Sequence, residues 1–418
     1  MDTIMNRKIL TGLVCAFSIC IFTPYIANYY AIIPFVLGMA IVVYMLFSAA
    51  FKISSLMLFP ILLVTLSILY KLFGISSASM GNYGKRVLII VAFAIGIYAN
   101  KRMCHRNKKI CVYISIITII FNAIYNIWLY IIAPEMFSAI RSSDYYVSKY
   151  GYTNIVGTEY GYVFMFLSLM LITIFVKKSK QLNYKHRILM LLIIIFFSLY
   201  LLAYGRSATV LLSYIMGIIL MYVFRGSLKD NIIKTVFLII IFIILFLFQN
   251  IFFELLISSL TGIVNDKILT RLQVLFNMFS GDEAVDGSNY FARFFYLQLD
   301  IQTWLSSIKT LFIGTGLHLQ SVNYSGIDAT VAAISTGAGN HSGFVDILPR
   351  YGIVGFGLLF GAIRSFWVFL KKSLDYKKIA TVLFILIIIN NIINSTFEPT
   401  VMFTIAFLVP GIYDLYFK

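Results

Sequence analysis

Runs of about 20 apolar residues recur along this sequence, and they constrain the fold more than any other feature. A helix of that length crosses the roughly 30 Å hydrocarbon core of a bilayer and satisfies its own backbone polar groups there. Because 61% of the 418 residues are hydrophobic and the mean hydropathy is +0.93, a soluble core could not hold these side chains. The sequence therefore predicts an all-α polytopic membrane protein.

The apolar runs predict twelve transmembrane spans, with both termini on the same side of the membrane. The expected spans are residues 9–28, 31–50, 53–73, 87–100, 110–132, 160–176, 188–204, 207–224, 235–256, 343–370, 379–396 and 399–416. The first run lacks a small-residue cleavage site, so it is expected to remain as a span. Residues 1–418 are expected to form a single transmembrane domain, with large outer loops at 133–159 and 257–341.

The distribution of Lys and Arg predicts which side faces the cytoplasm. On this topology 22 of the 33 Lys and Arg residues lie on the side of the termini, together with only four of the 16 Asp and Glu residues. By the positive-inside rule that side is cytoplasmic. The net charge of +17 therefore reflects topology, so nucleic acid is not expected as a partner. No His/Cys cluster predicts a metal site, and no cofactor is expected.

The second outer loop is too long to be structureless in a compact protein. Apolar residues at helical spacing predict one helix at 264–279 and a second at 289–308. The polar face of the second helix carries Arg293, Tyr296 and Asp300. Such amphipathic helices are typical of segments that lie on the bilayer surface or cap a bundle.

Arg206 occupies a hairpin, residues 203–208, that is almost too short to leave the membrane. A guanidinium at that depth keeps its proton and needs an anionic partner. Two interpretations remain open at this point. Arg206 either snorkels to the surface or caps a helix, or it binds phosphate oxygens with its planar fork.

His341, Asp346 and Arg350 follow one another where the long loop enters the tenth span, and Asn340 precedes them. His341 is either a helix-capping residue or a base that accepts a proton from a sugar hydroxyl. Asp346 and Arg350 are four residues apart, so they either form an intrahelical ion pair or hold substrate.

Three asparagines, Asn390, Asn391 and Asn394, lie near the outer end of the eleventh span. They could line a polar cavity, or they could form hydrogen bonds with neighbouring helices.

Three segments, taken in order, resemble the bacterial O-antigen polymerase and O-antigen ligase superfamily of membrane glycosyltransferases. The first is the short Arg206 hairpin. The second runs from Arg293 through Trp304 to the Gly-x-Gly of residues 314–316. The third is residues 339–355, which contain a His-Ser pair and a Tyr-Gly-x-x-Gly element. The resemblance covers roughly residues 188–370.

The resemblance implies a donor glycan on a polyprenyl diphosphate at the outer leaflet of the bacterial cytoplasmic membrane. It implies that Arg206 and Arg293 bind the diphosphate and that His341 acts as the base or positions the acceptor hydroxyl. Without a metal site, arginines would neutralise the charge of the leaving group. We extend the expected site to Arg271, His318, Asn340, Asp346, Arg350 and Tyr296 by location.

The resemblance leaves two reactions open, and the site's expected partners follow from them. A polymerase joins lipid-linked repeat units into O-antigen or capsular polysaccharide, with lipid-linked oligosaccharides as both donor and acceptor. A ligase transfers the chain to another acceptor. Polymerase is favoured, because the 133–159 loop adds a second surface for glycan. A chain-length regulator is a possible partner, beside membrane lipids. A flippase would place its site near the bilayer midplane, where this sequence has almost no charge.

Overall fold

The computed structural model describes eleven longer stretches of the chain. They are residues 4–30, 32–47, 55–75, 80–132, 158–178, 180–203, 208–225, 301–316, 347–374, 377–393 and 398–417, with short pieces at 230, 233–234, 236–237, 240, 255–259, 261 and 269. Every regular element within these stretches is helical. The prediction of a helical membrane protein is thereby confirmed.

The helices are numbered in chain order. They are α1 (Ile4–Phe22), α2 (Pro24–Tyr29), α3 (Ile32–Phe47), α4 (Ser55–Leu72), α5 (Met80–Arg102), α6 (His105–Ile132), α7 (Thr158–Lys178), α8 (Tyr184–Ala203), α9 (Ala208–Val223), α10 (Ile308–Phe312), α11 (Ile347–Ser373), α12 (Lys377–Ile393), α13 (Pro399–Phe403) and α14 (Val409–Phe417), with a π-helical turn at Thr404–Leu408 between the last two.

Five stretches among the described residues are long and apolar enough to cross a membrane: His105–Ile132, Tyr160–Lys178, Tyr184–Leu202, Ile347–Ser373 and Pro399–Tyr416. Five shorter apolar helices coincide with other expected spans. The ninth expected span and the two expected outer loops fall largely outside the described residues, so the number of twelve stays a prediction.

Two expected spans differ from the structure in their length. The first, 9–28, is not one helix, because α1 ends at Phe22 and Thr23 is extended (φ −103°, ψ 107°). The cause is Pro24, which disfavours the helical conformation of the residue before it and then begins α2. The fourth, expected at only 87–100, is the 23-residue helix α5, because its polar first and last turns continue the helix beyond the apolar run.

The helices form two compact units. Unit 1 comprises Met1–Ser54, Gly84–Tyr200 and Phe397–Lys418, and unit 2 comprises Ser55–Tyr83 and Leu201–Thr396. Among the five long apolar stretches, α7 and the stretch from α13 to α14 are the most enclosed, and 78% of the residues in the apolar part of each are buried. Both belong to unit 1. Their aromatic side chains pack edge to face with those of α1, as in the Phe17–Phe403 pair (ring centroids 5.7 Å apart).

Polar residues on successive turns of α6 contact α1. Cys111 contacts Cys15 (2.9 Å between sulfurs), and Ser115 contacts Ser18 (2.5 Å between hydroxyl oxygens). One level further, the Asn122 amide donates to the Phe22 carbonyl (3.1 Å). Both helices advance together through these pairs, so α1 and α6 run parallel.

A buried ion pair joins the start of α6 to α14. The Lys108 ammonium contacts the Asp414 carboxylate at 2.5 Å, and the two side chains are only 8% and 14% exposed. Nearby, the Cys111 thiol lies 3.6 Å from the Thr11 carbonyl. The beginning of α1 and the end of α14 therefore lie at the same end of unit 1.

The π-helical turn at Thr404–Leu408 marks a close crossing between the last helical stretch and α5. A Cβ atom placed on Gly96 would lie 2.6 Å from the Cβ of Ala406, so only glycine fits there. The Asn100 amide donates to the Ala406 carbonyl (3.3 Å). A π turn leaves carbonyls without their usual helical partners, and Asn100 compensates for one of them.

In unit 2, α4 and α11 pack antiparallel along their lengths. Phe59 near the start of α4 fills the space beside Gly361, whereas Ser67 near its end bonds to Tyr351 near the start of α11. A second pair, α9 and α12, is joined where the Ser213 hydroxyl donates to the Asn390 side-chain oxygen (2.8 Å). Asn390 is fully buried. Of the two interpretations of the asparagines, interhelical bonding is the correct one for Asn390, while Asn394 lies outside the described residues.

Candidate functional site

The structure describes Arg350 alone among the nine predicted site residues. His341, Arg206, Arg293, Arg271, His318, Asn340, Asp346 and Tyr296 lie outside the described residues. The helices that flank Arg206 are described: α8 ends at Ala203 and α9 begins at Ala208. The hairpin predicted around Arg206 lies between these two helix ends, in residues outside the described stretches, and stays a prediction.

The second and third segments of the family resemblance come together in unit 2. The Thr315 amide donates to the Pro349 carbonyl (2.8 Å), and the Gly316 amide donates to the Arg350 carbonyl (2.9 Å). The Thr315 hydroxyl also donates to Pro349 (3.1 Å). We call the interlocked residues 312–316 and 349–352 the glycine clasp. Thr315 and Pro349 are 34 positions apart in the sequence.

A break in α11 makes these carbonyls available to the clasp. Gly352 has φ 60° and ψ −160°, so the helix is interrupted after its first turn. In a continuous helix the carbonyls of Pro349 and Arg350 would accept from the amides four residues later. Here they accept from Thr315 and Gly316. The prediction of one continuous span from 343 to 370 is therefore wrong at this point.

Two glycines permit the backbones of the clasp to meet. Gly314 has φ 81°, and a Cβ atom on it would lie 2.4 Å from the carbonyl carbon of Arg350. A Cβ atom on Gly352 would lie 2.3 Å from the carbonyl carbon of Phe312. Both contacts are shorter than any van der Waals separation, and positive φ is strained for residues with a side chain. Glycine is therefore required on each half of the clasp.

Helix α4 supplies the third side of the clasp. The Tyr70 hydroxyl donates to the Ile313 carbonyl (2.5 Å), and the Ser67 hydroxyl donates to the Tyr351 hydroxyl (2.6 Å). The rings of Tyr70 and Tyr351 lie 5.6 Å apart between centroids. Sequence reasoning missed Ser67 and Tyr70. Their signal was two hydroxyl residues three positions apart in a largely apolar run, a spacing that places them on one helix face.

The segment before the clasp consists of two short helices separated by a break at Ser306 and Ser307. Residues 301–305 are helical, but Ser307 is extended (φ −158°, ψ 163°) and caps a new helix, α10. Its hydroxyl accepts from the Thr310 amide (3.1 Å), and the Trp304 indole donates to the Leu311 carbonyl (3.0 Å). The predicted helix 289–308 is therefore wrong at its end, because serine hydroxyls compete with helical backbone bonds.

Three cationic residues lie in the described segments that form or flank the glycine clasp. Arg350 belongs to it, Lys309 precedes it on α10, and Lys71 follows Tyr70 on α4. The described stretches 55–75, 301–316 and 347–352 contain no Asp or Glu. Arg350 is half-buried and Lys309 is exposed. The charged side chains within these described stretches are therefore all cationic.

Metal coordination by the described residues has no candidate, because no three His, Cys, Asp or Glu side chains among them are grouped closely enough. Neither a known protein-family model nor a curated protein matches this sequence.

Proposed function

We propose that this protein is a bacterial membrane glycosyltransferase that polymerises lipid-linked oligosaccharide repeat units at the outer leaflet of the cytoplasmic membrane. In this proposal the chain has twelve spans, both termini are cytoplasmic, and the site lies on the outer side between the loop 257–341 and the tenth span. The donor and the acceptor are both carried on polyprenyl diphosphate.

The observation that supports the proposal most directly is the glycine clasp. Two of the three segments that resemble the glycosyltransferase superfamily are joined by backbone hydrogen bonds. The amides of Thr315 and Gly316 donate to the carbonyls of Pro349 and Arg350, and Thr315 and Pro349 are 34 positions apart in the sequence. This contact supports the proposal because it lets the two segments contribute to one site. The antiparallel packing of α4 and α11 also agrees with the directions expected for the third and tenth spans.

The depth of the clasp supports a site at the membrane surface and not at the midplane. Residues 353–373, which follow the break at Gly352, extend about 31 Å at 1.5 Å per residue. That length spans a hydrocarbon core of roughly 30 Å without the first turn of α11. This length supports a position of the clasp at the edge of the bilayer, where the diphosphate of a polyprenyl lipid would lie. A flippase site would be expected deeper.

The chemistry follows from the charges. The acceptor hydroxyl oxygen forms a bond to the anomeric carbon of the donor, and the bond from that carbon to the diphosphate oxygen breaks. His341 takes the proton of the hydroxyl. Arg206 and Arg293 stabilise the negative charge that develops on the leaving diphosphate. Arg350 adds a third guanidinium at the clasp, and Lys71 and Lys309 raise the local positive potential.

The test is reconstitution of the purified protein in liposomes with lipid-linked repeat units, followed by electrophoresis of the released glycans. A ladder of increasing chain length supports the proposal. Transfer of the chain to an added acceptor that is not carried on polyprenyl diphosphate, such as lipid A-core, would instead indicate the ligase reaction. Movement of intact units across the bilayer without new glycosidic bonds would contradict both and favour a flippase.

A further inference from the structure

Four cationic side chains lie at the end of unit 2 that is remote from the glycine clasp. They are Arg225 after α9, Lys371 and Lys372 at the end of α11, and Lys378 at the start of α12, and we call them the cationic rim. The Lys378 ammonium donates to the Arg225 carbonyl (3.3 Å), so the ends of α9 and α12 meet there. Arg225, Lys371 and Lys372 are exposed.

Two aromatic rings lie beside the cationic rim. Trp367 on α11 packs against Phe384 on α12 with ring centroids 4.6 Å apart. The Lys371 ammonium lies 5.3 Å from the centroid of the Trp367 ring. A cation–π contact positions an ammonium group without neutralising its charge. Tryptophan is also enriched at the level of lipid headgroups, which is the depth expected for a rim beside Trp367.

The charge of the rim has no carboxylate to balance it in the helices that form it. The described residues 208–225, 347–374 and 377–393 include no Asp or Glu. Near these helix ends, residues 225–234 and 371–378 of the sequence hold seven Lys and Arg against the two acids Asp230 and Asp375. Cations therefore outnumber carboxylates by five in the segments that form or adjoin the rim.

We propose that the cationic rim binds the phosphate of one anionic phospholipid headgroup. Lys371, Lys372, Lys378 and Arg225 donate to the phosphodiester oxygens, and the Trp367–Phe384 pair packs against the lipid below its headgroup. The site is independent of the glycine clasp and of the reaction proposed there. It differs from the general attraction of basic loops to an anionic leaflet, because three helix ends and an aromatic pair position the cations.

The first experiment measures lipid preference at Trp367. The chain has three tryptophans, so replacing Trp128 and Trp304 with Phe leaves Trp367 as the single fluorophore. The full chain is placed in bilayers of phosphatidylcholine with brominated phosphatidylglycerol, or with brominated phosphatidylcholine. Preferential quenching by the anionic lipid is expected. Equal quenching by the two lipids would overturn the proposal.

The second experiment removes the charges, with native mass spectrometry of the otherwise natural chain as the readout of retained phosphatidylglycerol. Lys371→Gln and Lys378→Gln are each expected to weaken retention about fivefold, and the pair about 25-fold. Lys109→Gln is the matched control, because Lys109 is also an exposed lysine over an aromatic ring, that of Tyr113 at 5.6 Å. An equal loss in the control would overturn the proposal in favour of general attraction.

Replacement of Lys371 and Lys378 together by arginine separates charge from packing. If the phosphate is bound through charge, the arginine variant retains phosphatidylglycerol while the glutamine variant does not. If both variants lose the lipid equally, the lysines act through local packing and the proposal is wrong. Polymerising activity plays no part in either measurement, so the two proposals can fail separately.

Discussion

Replacement of Gly314 with alanine should open the glycine clasp. Gly314 has φ 81°, a left-handed conformation that costs a residue with a side chain about 1–2 kcal/mol. The new Cβ atom would also lie 2.4 Å from the Arg350 carbonyl carbon, so this overlap adds to the strain. Closing the clasp gains the two backbone hydrogen bonds of Thr315 and Gly316, each contributing about 0.5–1.5 kcal/mol.

The backbone strain of about 1–2 kcal/mol, with the overlap added to it, is therefore comparable with the roughly 1–3 kcal/mol that the two backbone bonds contribute. With a loss of at least about 2 kcal/mol, the open fraction should rise roughly 30-fold. Hydrogen exchange followed by mass spectrometry measures this directly as lost protection in peptides that contain Thr315 and Gly316. Chain growth on lipid-linked substrate should fall in parallel, because the two halves of the proposed site separate.

Gly357→Ala is the matched control for this experiment. Gly357 lies on α11 five residues after Gly352, is exposed, and has no atom within 4 Å of the position of a new Cβ. Alanine there should be neutral or stabilise the helix by about 1 kcal/mol. If Gly314→Ala keeps the amide protection and thermal stability of Gly357→Ala, the close approach described for the clasp does not exist and the reasoning fails.

Three further predictions test other contacts. Arg206→Ala and His341→Ala should each abolish long polysaccharide in cells while single repeat units accumulate on the outer surface, and normal chain lengths on a gel would remove their proposed roles. Tyr70→Phe should destabilise the clasp by about 0.5–1.5 kcal/mol, because a part-buried hydrogen bond to the Ile313 carbonyl is lost, and unchanged exchange there would contradict this. Lys108→Ala should lower the free energy of unfolding by about 3–5 kcal/mol, because Asp414 keeps a buried charge without its ammonium. Replacing both partners with apolar residues should cost less than the single change, as a double-mutant cycle by thermal unfolding would show.

The helical class and the approximate positions of ten apolar helices could be predicted from sequence, because a bilayer requires long apolar runs whatever the tertiary structure. The exceptions have local causes. Pro24 ends α1 at Phe22, and this signal was present in the sequence but outweighed by the apolar run around it. The polar turns of α5 were excluded from the expected span by their composition alone, although they are helical.

The break at Gly352 could not be predicted in the same way. Residues on both sides of it are apolar and compatible with one helix, and the reason for the interruption lies in a segment 34 positions away. The same limit applied to Ser67 and Tyr70, whose partners lie far off in the sequence. Motif order did indicate that residues 314–316 and 349–352 belong to one site, whereas the geometry of their contact required the structure.

The ion pair between Lys108 and Asp414 has a consequence for how the protein is made. The two residues are 306 positions apart, and chains are synthesised at about 5–20 residues per second. Lys108 is therefore synthesised roughly 15–60 seconds before its carboxylate exists. During that interval the ion pair that joins α6 to α14 cannot form. Unit 1 is therefore incomplete until α14 has been translated, and a ribosome that stops before Asp414 leaves a bundle without this contact.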